Sequence, residues 1–352
     1  MSQNNFSVVR GKLLRWYGKN KRDLPWRRTR DPYAIWVAET MLQQTQVATV
    51  IPYYERFLAA FPTVTALDRA PLRKVLTLWS GLGYYRRAEN LKKSARVLTL
   101  KHRGRLPNNY QALRALPGVG DYTAGAVSSI AFGKAHPAID GNARRVLGRI
   151  FALHTVRKIQ DLATQLVPAD APGYFNQALM DLGATLCIPK NPRCAVCPVA
   201  SHCKTRASNR EVPVKKTSSF SRNVIWPLAI VRRNGAILVR RRPSNGLLAG
   251  LWELPGDEKK PRDSITATIR QQFRTLDWVI ARPRRIGEIR HTITNRKIRA
   301  PIFLFAEEAQ RKLYLPIRGW RWLPEKSFRQ QPLSSMTLKA LAVLAAYEKN
   351  SL

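Results

Sequence analysis

The four cysteines of the chain, Cys187, Cys194, Cys197 and Cys203, form a single C-x6-C-x2-C-x5-C array. Such crowding, with no cysteine elsewhere, indicates one metal centre rather than separate core thiols. Two disulfides are disfavoured, because the first ten residues lack the features of a secretory signal. Structural zinc suits four thiolates but usually has two close pairs with a long spacer. An iron–sulfur cluster also suits four thiolates, and its spacings vary, so we favour it modestly over zinc.

A tight glycine turn opens an apolar helix in the string LPGVGDYTAGAV, which covers residues 116–127. Gly118 and Gly120 can present bare backbone N–H groups to a phosphate at the N-terminus of that helix. A Gly-x-Gly pair alone is more often just a turn. A dinucleotide-binding fold is excluded, because the third glycine is missing and the preceding segment has helical spacing. Because the surrounding part of the chain is also rich in Lys and Arg, the glycine pair predicts contact with DNA phosphates.

An acidic residue, Asp140, stands twenty residues beyond this turn in the string AIDGNARRVLGRI. Its place ahead of a helical segment predicts an N-cap. Arg144, Arg145 and Arg149 follow it, so we also expect an electropositive cleft that depresses the pKa of Asp140. A carboxylate that stays charged there could stabilise a cationic sugar.

The composition indicates a polyanionic partner. Lys and Arg number 61 against 22 Asp and Glu, a formal net charge of +39. Solubility alone needs a net charge of only about 2–8 in a small domain. The excess favours nucleic acid, whose phosphates such side chains neutralise. A membrane partner is disfavoured, since no apolar run approaches the ~20 residues that span a bilayer and no basic amphipathic helix stands out.

The spacing of apolar residues predicts two lobes. Residues 1–206 are predicted to form an all-α lobe. Its apolar spacing is mostly helical from Phe6 to about Leu186, clearest over Asp31–Phe61, and prolines divide it into short to medium helices. Residues 207–225 are polar and read as a linker. Residues 226–352 change to an α+β pattern. Both parts are basic, with 36 basic against 12 acidic residues up to position 225 and 25 against 10 beyond it.

The second lobe carries one strong local signal, Asn234-Gly235, which predicts a hairpin between two strands. The strands expected on either side are Leu228–Val231 and Ala236–Arg240. Further strands are expected at Trp278–Ala281, Ile286–Thr292 and Ile298–Phe305, and helices at Asp263–Phe273 and Thr337–Lys349.

Taken together, LPGVGDYTAGAV, IDGNARRVLGR and the cysteine array resemble the helix–hairpin–helix DNA glycosylases of the endonuclease III superfamily. AETMLQQTQV, GLGYYRRAENL, DLPWR and FNQALMDLGATLC are similar to the MutY branch, which removes adenine mispaired with oxidised guanine. The likeness covers about Leu14–Cys203 and continues more thinly into the second lobe. It implies a multidomain protein: an all-α catalytic lobe with one [4Fe-4S] cluster held by the four cysteines, and an α+β Nudix-like recognition lobe.

The resemblance implies roles for three residues. Glu39 is then the acid that protonates adenine, and Asp140 stabilises the sugar cation, which fits the two-carboxylate logic of glycoside hydrolysis. Glu39 stands among apolar neighbours, which predicts a raised pKa. Tyr122 occupies the position where strand-nicking relatives carry a Schiff-base lysine, so a monofunctional glycosylase is expected.

The resemblance also implies DNA contacts and a base pocket. Gln44 and Tyr84 are expected to fill the gap left by a flipped base. One of the neighbours Tyr84 and Tyr85 is expected to serve packing. The adenine pocket is expected from Trp26, Arg27 and Gln177, and further DNA contacts from Gly118, Gly120, Asn142 and Arg144. Arg87, Lys92 and Lys93 are plausible phosphate contacts.

The second lobe departs from its family in two places. GLLAGLWELPGD resembles a Nudix-like domain, but residues 258–273 lack the acid-rich box that holds Mg²⁺, so no hydrolase is expected. Ile293, Thr294 and Asn295 stand where the family has a Phe-Ser-His triplet. Ile293 can still wedge, and the other two can still hydrogen-bond to an oxidised guanine.

Two other functions stay open at this point. An endonuclease III-like lyase is disfavoured by the missing lysine and the second lobe, and a non-enzymatic DNA-binding protein by the presence of both Glu39 and Asp140. The expected partner is double-stranded DNA with A:8-oxoguanine or A:G mispairs. A monomer is expected, in the cytoplasm and on the nucleoid if the source is bacterial.

Overall fold

The computed structural model describes residues 3–208, 221–243, 246–276, 283–305 and 317–350. The chain divides into two compact units, the first made of Met1–Ala70 and Arg86–Thr217, the second of Pro71–Tyr85 and Ser218–Leu352. Residues 209–220 of the predicted linker lie outside the described residues, as does the whole strand predicted at Trp278–Ala281.

The first unit is helical. The helices up to the cysteine array are α1 (Gln3–Asn20), α2 (Pro32–Leu42), α3 (Val47–Ala60), α4 (Val64–Arg69), α5 (Leu72–Trp79), α6 (Arg86–His102), α7 (Tyr110–Arg114), α8 (Asp121–Ile130), α9 (Gly141–Phe151), α10 (Val156–Leu166) and α11 (Pro172–Thr185). Helix α12 (Lys204–Ser208) follows the array, and a short 3-10 turn at Pro25–Arg27 precedes α2. Helix α5 is the exception, because its contacts place it in the second unit.

The helical spacing predicted over Asp31–Phe61 is realised as two helices with a break at residues 43–46. Helix α2 begins cleanly, since Asp31 accepts N–H bonds from the first turn and Pro32 suits its first position. It ends because Gln44 adopts a left-handed backbone, with φ of +57°. The buried Arg87 of α6 stabilises that end, donating to the backbone carbonyls of Met41 and Gln43 at 2.7 and 2.6 Å.

One core of the first unit lies where α1, α9, α10 and α11 meet. Leu13 of α1, Leu147 of α9, Leu166 of α10 and Phe175 of α11 are all fully buried there. Each such side chain contributes about 1.5–3 kcal/mol on burial. This packing holds the N-terminus of α9 and one face of α11, both of which contribute to the site described below.

The second unit is built on a mixed sheet. Its strands are β1 (Arg222–Ile225), β2 (Leu228–Arg233), β3 (Ala236–Arg241), β4 (Trp252–Glu253), β5 (Arg284–Ile293), β6 (Arg296–Phe305) and β7 (Trp320–Pro324). Strands β1 and β2 pair parallel to β6, and β5 pairs antiparallel to it. Strand β3 pairs antiparallel to β2, β4 and β7.

Both faces of this sheet are covered, since the apolar run of β2 is buried on both sides. Leu228 and Ile230 face a core that includes α14 (Ser335–Lys349), whereas Ala229 and Val231 face one that includes α13 (Ile265–Phe273). The predicted α+β class of the second lobe is confirmed, as is the hairpin at Asn234-Gly235. Both turn residues are left-handed, at φ of +47° and +68°.

No helix among the described residues is long and apolar enough to cross a membrane.

Candidate active site

One cavity of about 880 Å³ in the first unit gathers residues that are far apart in the sequence. Its walls come from the 25–27 turn, α2, the connection after it, the N-termini of α8 and α9, and α11. The sequence-predicted residues that line it are Trp26, Arg27, Glu39, Gln44, Gly118, Gly120, Tyr122, Asp140, Asn142, Arg144 and Gln177. The volume lies in the range of small-molecule sites.

Glu39 lies on α2 and lines the cavity, with only 4% of its surface exposed. The Tyr122 hydroxyl donates a hydrogen bond to its Oε2 atom. Burial raises the pKa of Glu39 to about 7, and the negative charge of Asp140 acts in the same direction. The Tyr122 hydrogen bond and the Arg27 charge oppose that rise. A carboxyl group that titrates near neutral pH can hold a proton and deliver it, as a general acid must.

Tyr122 lies in the first turn of α8, one residue beyond the start of the helix at Asp121. Burial, with the nearby charges of Glu39 and Asp140, raises its pKa well above the ordinary value of a phenol. The hydroxyl therefore keeps its proton and acts as the donor to Glu39. A phenol offers no amine, so this position cannot form a Schiff base with a sugar.

Asp140 is the N-cap of α9, as the sequence predicts. Its Oδ1 accepts the backbone N–H of Ala143 at 2.7 Å, and Asn142 Nδ2 donates to its Oδ2 at 3.0 Å. The expected depression of its pKa is wrong: burial raises the pKa of Asp140, although these hydrogen bonds and the charge of Arg145 oppose that rise. Desolvation therefore outweighs the stabilising contacts of the carboxylate.

The arginines after Asp140 explain in part why its pKa is raised rather than lowered, because two of them bind backbone carbonyls elsewhere. Arg145 Nε donates to the carbonyl of Cys187 at 2.8 Å, and Arg149 Nη1 donates to the carbonyl of Ile188 at 2.8 Å. Of these three arginines, Arg144 and Arg145 line the cavity. Arg144 Nε is buried with no hydrogen-bond partner among the described residues.

The glycine turn and the break after α2 both use left-handed backbone. Gly118 has φ of +77°, and a Cβ there would lie 2.6 Å from the Asn90 side chain, so only glycine fits. Gly120 is the N-cap of α8. Gln44 is left-handed as well and lines the cavity.

The expected phosphate contact of Arg87 is wrong, since its guanidinium is buried at the end of α2.

Trp26, Arg27 and Gln177 form one wall. Trp26 is buried, and its ring makes a T-shaped contact with the ring of Tyr54, with the two centroids 5.4 Å apart. Gln177 Oε1 accepts a hydrogen bond from the hydroxyl of Tyr17, whose ring lies 5.4 Å from the Arg27 guanidinium.

Sequence inspection missed the residue that anchors this wall, Asp181 on α11. It is fully buried, and both Arg22 and Arg27 donate to its carboxylate. A signal was present: a lone acid lies in an apolar helical run, one turn after Gln177 and therefore on its face.

Tyr84 belongs to the second unit and lies in the loop that follows α5. Its backbone is left-handed, with φ of +47°, and 45% of its surface is exposed. Tyr85 is buried and donates a hydrogen bond to the carbonyl of Leu333 at 3.1 Å. The expectation that one of the two tyrosines serves packing is met by Tyr85.

Ile293, Thr294 and Asn295 lie at the turn between β5 and β6, where Ile293 pairs with Arg296. Thr294 and Asn295 are exposed, and Ile293 packs partly against the core below. Thr294 has φ of +53°, which is uncommon for a β-branched residue. The two polar side chains are thus presented at the end of a long hairpin.

The four cysteines line a second cavity of the first unit, of about 320 Å³. All four are free thiols, so the disulfide alternative is excluded. Within the described ranges, no three His, Cys, Asp or Glu side chains come close enough to hold a single metal ion. Four thiols that line one cavity are a donor set that suits an iron–sulfur cluster.

The raised pKa of Glu39 predicts that Glu39→Gln is more stable than the parent at high pH. The folded protein binds this proton more tightly than the unfolded chain, so the parent loses stability as pH rises from about 4.5 through about 7. The neutral amide has no such loss. We expect a difference on the order of 3 kcal/mol in the free energy of unfolding at pH 8.

Urea unfolding at pH 4 and pH 8 measures this difference. Glu55→Gln, which removes an exposed acid on α3, is the matched control, and its stability should fall between pH 4 and pH 8 as that of the parent does. Equal effects of pH on the parent and on Glu39→Gln would contradict the raised pKa.

Comparison with protein-family models assigns both parts of the chain. Residues 37–169 match the HhH-GPD superfamily of base excision DNA repair proteins, and residues 228–343 match the NUDIX domain. The predicted combination of a helix–hairpin–helix lobe with a Nudix-like lobe is therefore confirmed.

Curated relatives agree along nearly the whole chain. The adenine DNA glycosylase of Homo sapiens is 36% identical over 405 residues, covering 96% of this chain and 74% of the relative. That of Rattus norvegicus is 35% identical and covers 98% and 79%. That of Buchnera aphidicola subsp. Baizongia pistaciae is 39% identical and covers 68% and 70%.

Two solved structures resemble the helical part. A thermostable thymine-DNA glycosylase is 33% identical with a TM-score of 0.55, covering 58% of this chain and 98% of its own. Endonuclease III in a non-covalent complex with DNA has a TM-score of 0.53 at 22% identity, covering 59% and 98%, which shows a shared fold.

Proposed function

The chain belongs to the adenine DNA glycosylase family of base excision repair enzymes, and on that premise we propose that it removes adenine mispaired with 8-oxoguanine or guanine. One observation carries the proposal: two carboxyl groups, Glu39 and Asp140, share a cavity, and Tyr122 is bonded to the first. Breaking a glycosidic bond needs a proton for the leaving base and a negative charge for the cationic sugar.

Glu39 is the acid in this proposal. Its protonated carboxyl donates to N7 of adenine as the bond between the base and C1′ of the sugar breaks, with the bonding electrons leaving on the base. The resulting carboxylate can then accept a proton from the attacking water. Asp140 supplies the negative charge, and its hydrogen bonds from Ala143 and Asn142 favour the ionised form.

Adenine must leave the base stack to reach the buried Glu39 in this cavity, so base flipping is part of the proposal. Trp26, Arg27 and Gln177 form the wall that receives the base. Gln44 and Tyr84, both on left-handed backbone, are the side chains that replace it in the stack. The remaining contacts with the DNA backbone are assigned to Gly118, Gly120, Asn142 and Arg144, at the N-termini of α8 and α9.

The proposed reaction is hydrolytic and leaves the strand intact. A lyase of this superfamily needs an amine that attacks the sugar. Position 122 offers a phenol whose proton is held by burial and directed at Glu39. This arrangement supports a monofunctional glycosylase.

We assign one [4Fe-4S] cluster to the cysteine cavity, with Cys187, Cys194, Cys197 and Cys203 as its ligands. The cavity size and the free thiols support this assignment. The cluster is expected to fix the loop between α11 and α12. Purified protein should contain about four iron atoms per chain and absorb visible light. A colourless protein with one zinc ion would contradict the assignment.

The second unit is proposed to inspect the base opposite adenine, through Ile293, Thr294 and Asn295. Their exposure at the β5–β6 turn supports this role. No hydrolase activity is proposed for this Nudix-like unit, since residues 258–273 lack the acid-rich box that would hold Mg²⁺. The proposed partner is double-stranded DNA. The protein binds it as a monomer, and it does so in the cytoplasm if the source is bacterial.

A panel of duplexes tests the substrate. Single-turnover excision should be fastest for A:8-oxoguanine, slower for A:G and undetectable for A:T. Replacing Thr294 and Asn295 together by alanine should narrow the difference between the excision rates on A:8-oxoguanine and A:G, because it removes two hydrogen-bonding side chains. Thr292→Ala, an exposed strand residue nearby, is the control. Equal wild-type rates on A:8-oxoguanine and A:G would refute the recognition role of the turn.

A further inference from the structure

Asp181 holds two arginines with one buried carboxylate. Arg22 Nε lies 2.7 Å from its Oδ1, and Arg27 donates from Nη1 to Oδ2 at 2.5 Å and from Nη2 to Oδ1 at 2.8 Å. Asp181 is inaccessible to solvent, and the Arg27 side chain is only 10% exposed. The Arg27–Asp181 contact is thus a bidentate, largely buried pair, which fixes both the position and the plane of the guanidinium.

This pair lies beside the proposed acid. Arg27 lines the same cavity as Glu39, and its positive charge acts on that carboxyl group. Asp181 does not line the cavity itself. Its two partners, Arg22 and Arg27, both do, and of these two only the charge of Arg27 acts on Glu39. A second interaction supports the same wall, because the ring of Tyr17 lies against Arg27 and its hydroxyl binds Gln177.

We propose that Asp181 is a positioning residue, which holds the Arg27 guanidinium in the wall of the cavity and balances its charge beside Glu39. Arg27 shapes the wall of the cavity, yet its unbalanced charge would favour the ionised form of Glu39. The buried carboxylate of Asp181 allows Arg27 to lie in the wall while Glu39 stays protonated. The inference deepens the proposed function, since it rests on Glu39 acting as the acid.

Few other groups compete for control of Glu39. Tyr122 faces it from α8, and Asp140 faces it from the start of α9. Helix α6 contributes Arg87, which binds backbone carbonyls at the end of α2 rather than the carboxyl group. Among the described residues, no charged group of α3 acts on Glu39. Arg27 is therefore the cation whose balance matters.

The test is Asp181→Asn, which keeps the shape of the side chain and removes its charge. The pH above which the excision rate falls should move down by about one unit, because an opposite charge close to a carboxyl group lowers its pKa by that order. The rate at pH 8 should fall by about tenfold more than at pH 5. Asp23→Asn is the matched control, since it removes an exposed carboxylate that pairs with Arg28. The control should leave the profile unchanged.

A second measurement follows Glu39 without any substrate. The pH above which the stability difference between Glu39→Gln and its parent stops growing reports the titration of Glu39 in the folded protein. That pH should also be lower in the Asp181→Asn background, and the difference at pH 8 should be smaller. If the wild type excises no adenine but this shift appears, the proposed function fails and the charge balance stands. If excision occurs and neither midpoint moves, the inference about Asp181 is wrong.

Arg27→Gln decides whether the effect passes through Arg27. Adding Asp181→Asn to Arg27→Gln should not lower the midpoint of the pH profile, and a full downward shift in that background would overturn the proposal. Should Asp181→Asn alone fail to fold, Arg27→Gln compared with wild type gives the answer. The proposal requires its midpoint to lie above that of wild type, and an equal or lower midpoint would overturn it.

Discussion

Glu39→Gln is expected to abolish adenine excision in practical terms, with a loss of about a thousandfold in the single-turnover rate. The amide has the shape of the carboxyl group and can still accept the Tyr122 hydrogen bond. It cannot donate an acidic proton to the leaving base. Binding of a mispaired duplex should be unchanged, because the phosphate contacts are assigned to other residues.

Quenched-flow excision on an A:8-oxoguanine duplex, with binding measured separately, checks this result. Glu55→Gln should behave as wild type, since Glu55 is exposed on α3. A Glu39→Gln variant that retained a tenth or more of the rate would show that another group protonates the base.

Asp140→Asn should lower the rate by about a hundredfold to a thousandfold, the usual cost of removing a preorganised charge from a transition state. The asparagine oxygen can still accept the N–H of Ala143, so α9 keeps its cap. The hydrogen bond from Asn142 to Oδ2 is lost, but the variant also removes a charge that burial disfavours, and the two effects oppose each other. The expected signature is therefore a large loss of rate with little change in melting temperature.

Thr155→Ala provides the opposite signature. Thr155 caps α10 in the same unit and lies outside the cavity. Its loss should cost about 1 kcal/mol of stability with little effect on the rate. If Asp140→Asn instead lowered stability and left the rate intact, Asp140 would be a cap and nothing more.

Features with local causes could be predicted from the sequence. The Asn234-Gly235 hairpin formed as expected, because both residues tolerate the left-handed backbone that the turn requires. Asp140 caps α9 for a similarly local reason. The α+β class of the second lobe followed from its strand-like segments and from the two helical segments Asp263–Phe273 and Thr337–Lys349.

Features with distant causes could not be predicted. Arg87 looked like a surface cation, but its partners lie more than forty residues earlier, at the end of α2. Arg145 and Arg149 were expected to make the cleft around Asp140 electropositive, yet both donate to carbonyls of the cysteine loop. The direction of the pKa shift of Asp140 depends on burial, which the residues around it in the sequence do not reveal.

Asp181 lies between these two cases. Its place in an apolar helical run marks it as unusual, and its spacing from Gln177 puts both on one face. Its partners Arg22 and Arg27 lie over 150 residues away, so their identity needs the fold.

The central claim is that Glu39 drives hydrolytic release of adenine and leaves the DNA strand whole. One reaction tests it: an A:8-oxoguanine duplex is incubated with the protein, the free base is identified by mass spectrometry, and the strand is analysed with and without alkali. We predict one adenine released per mispair, cleavage of the strand only after alkali, and neither product with Glu39→Gln. Strand cleavage without alkali, or release of a base other than adenine, would contradict the claim.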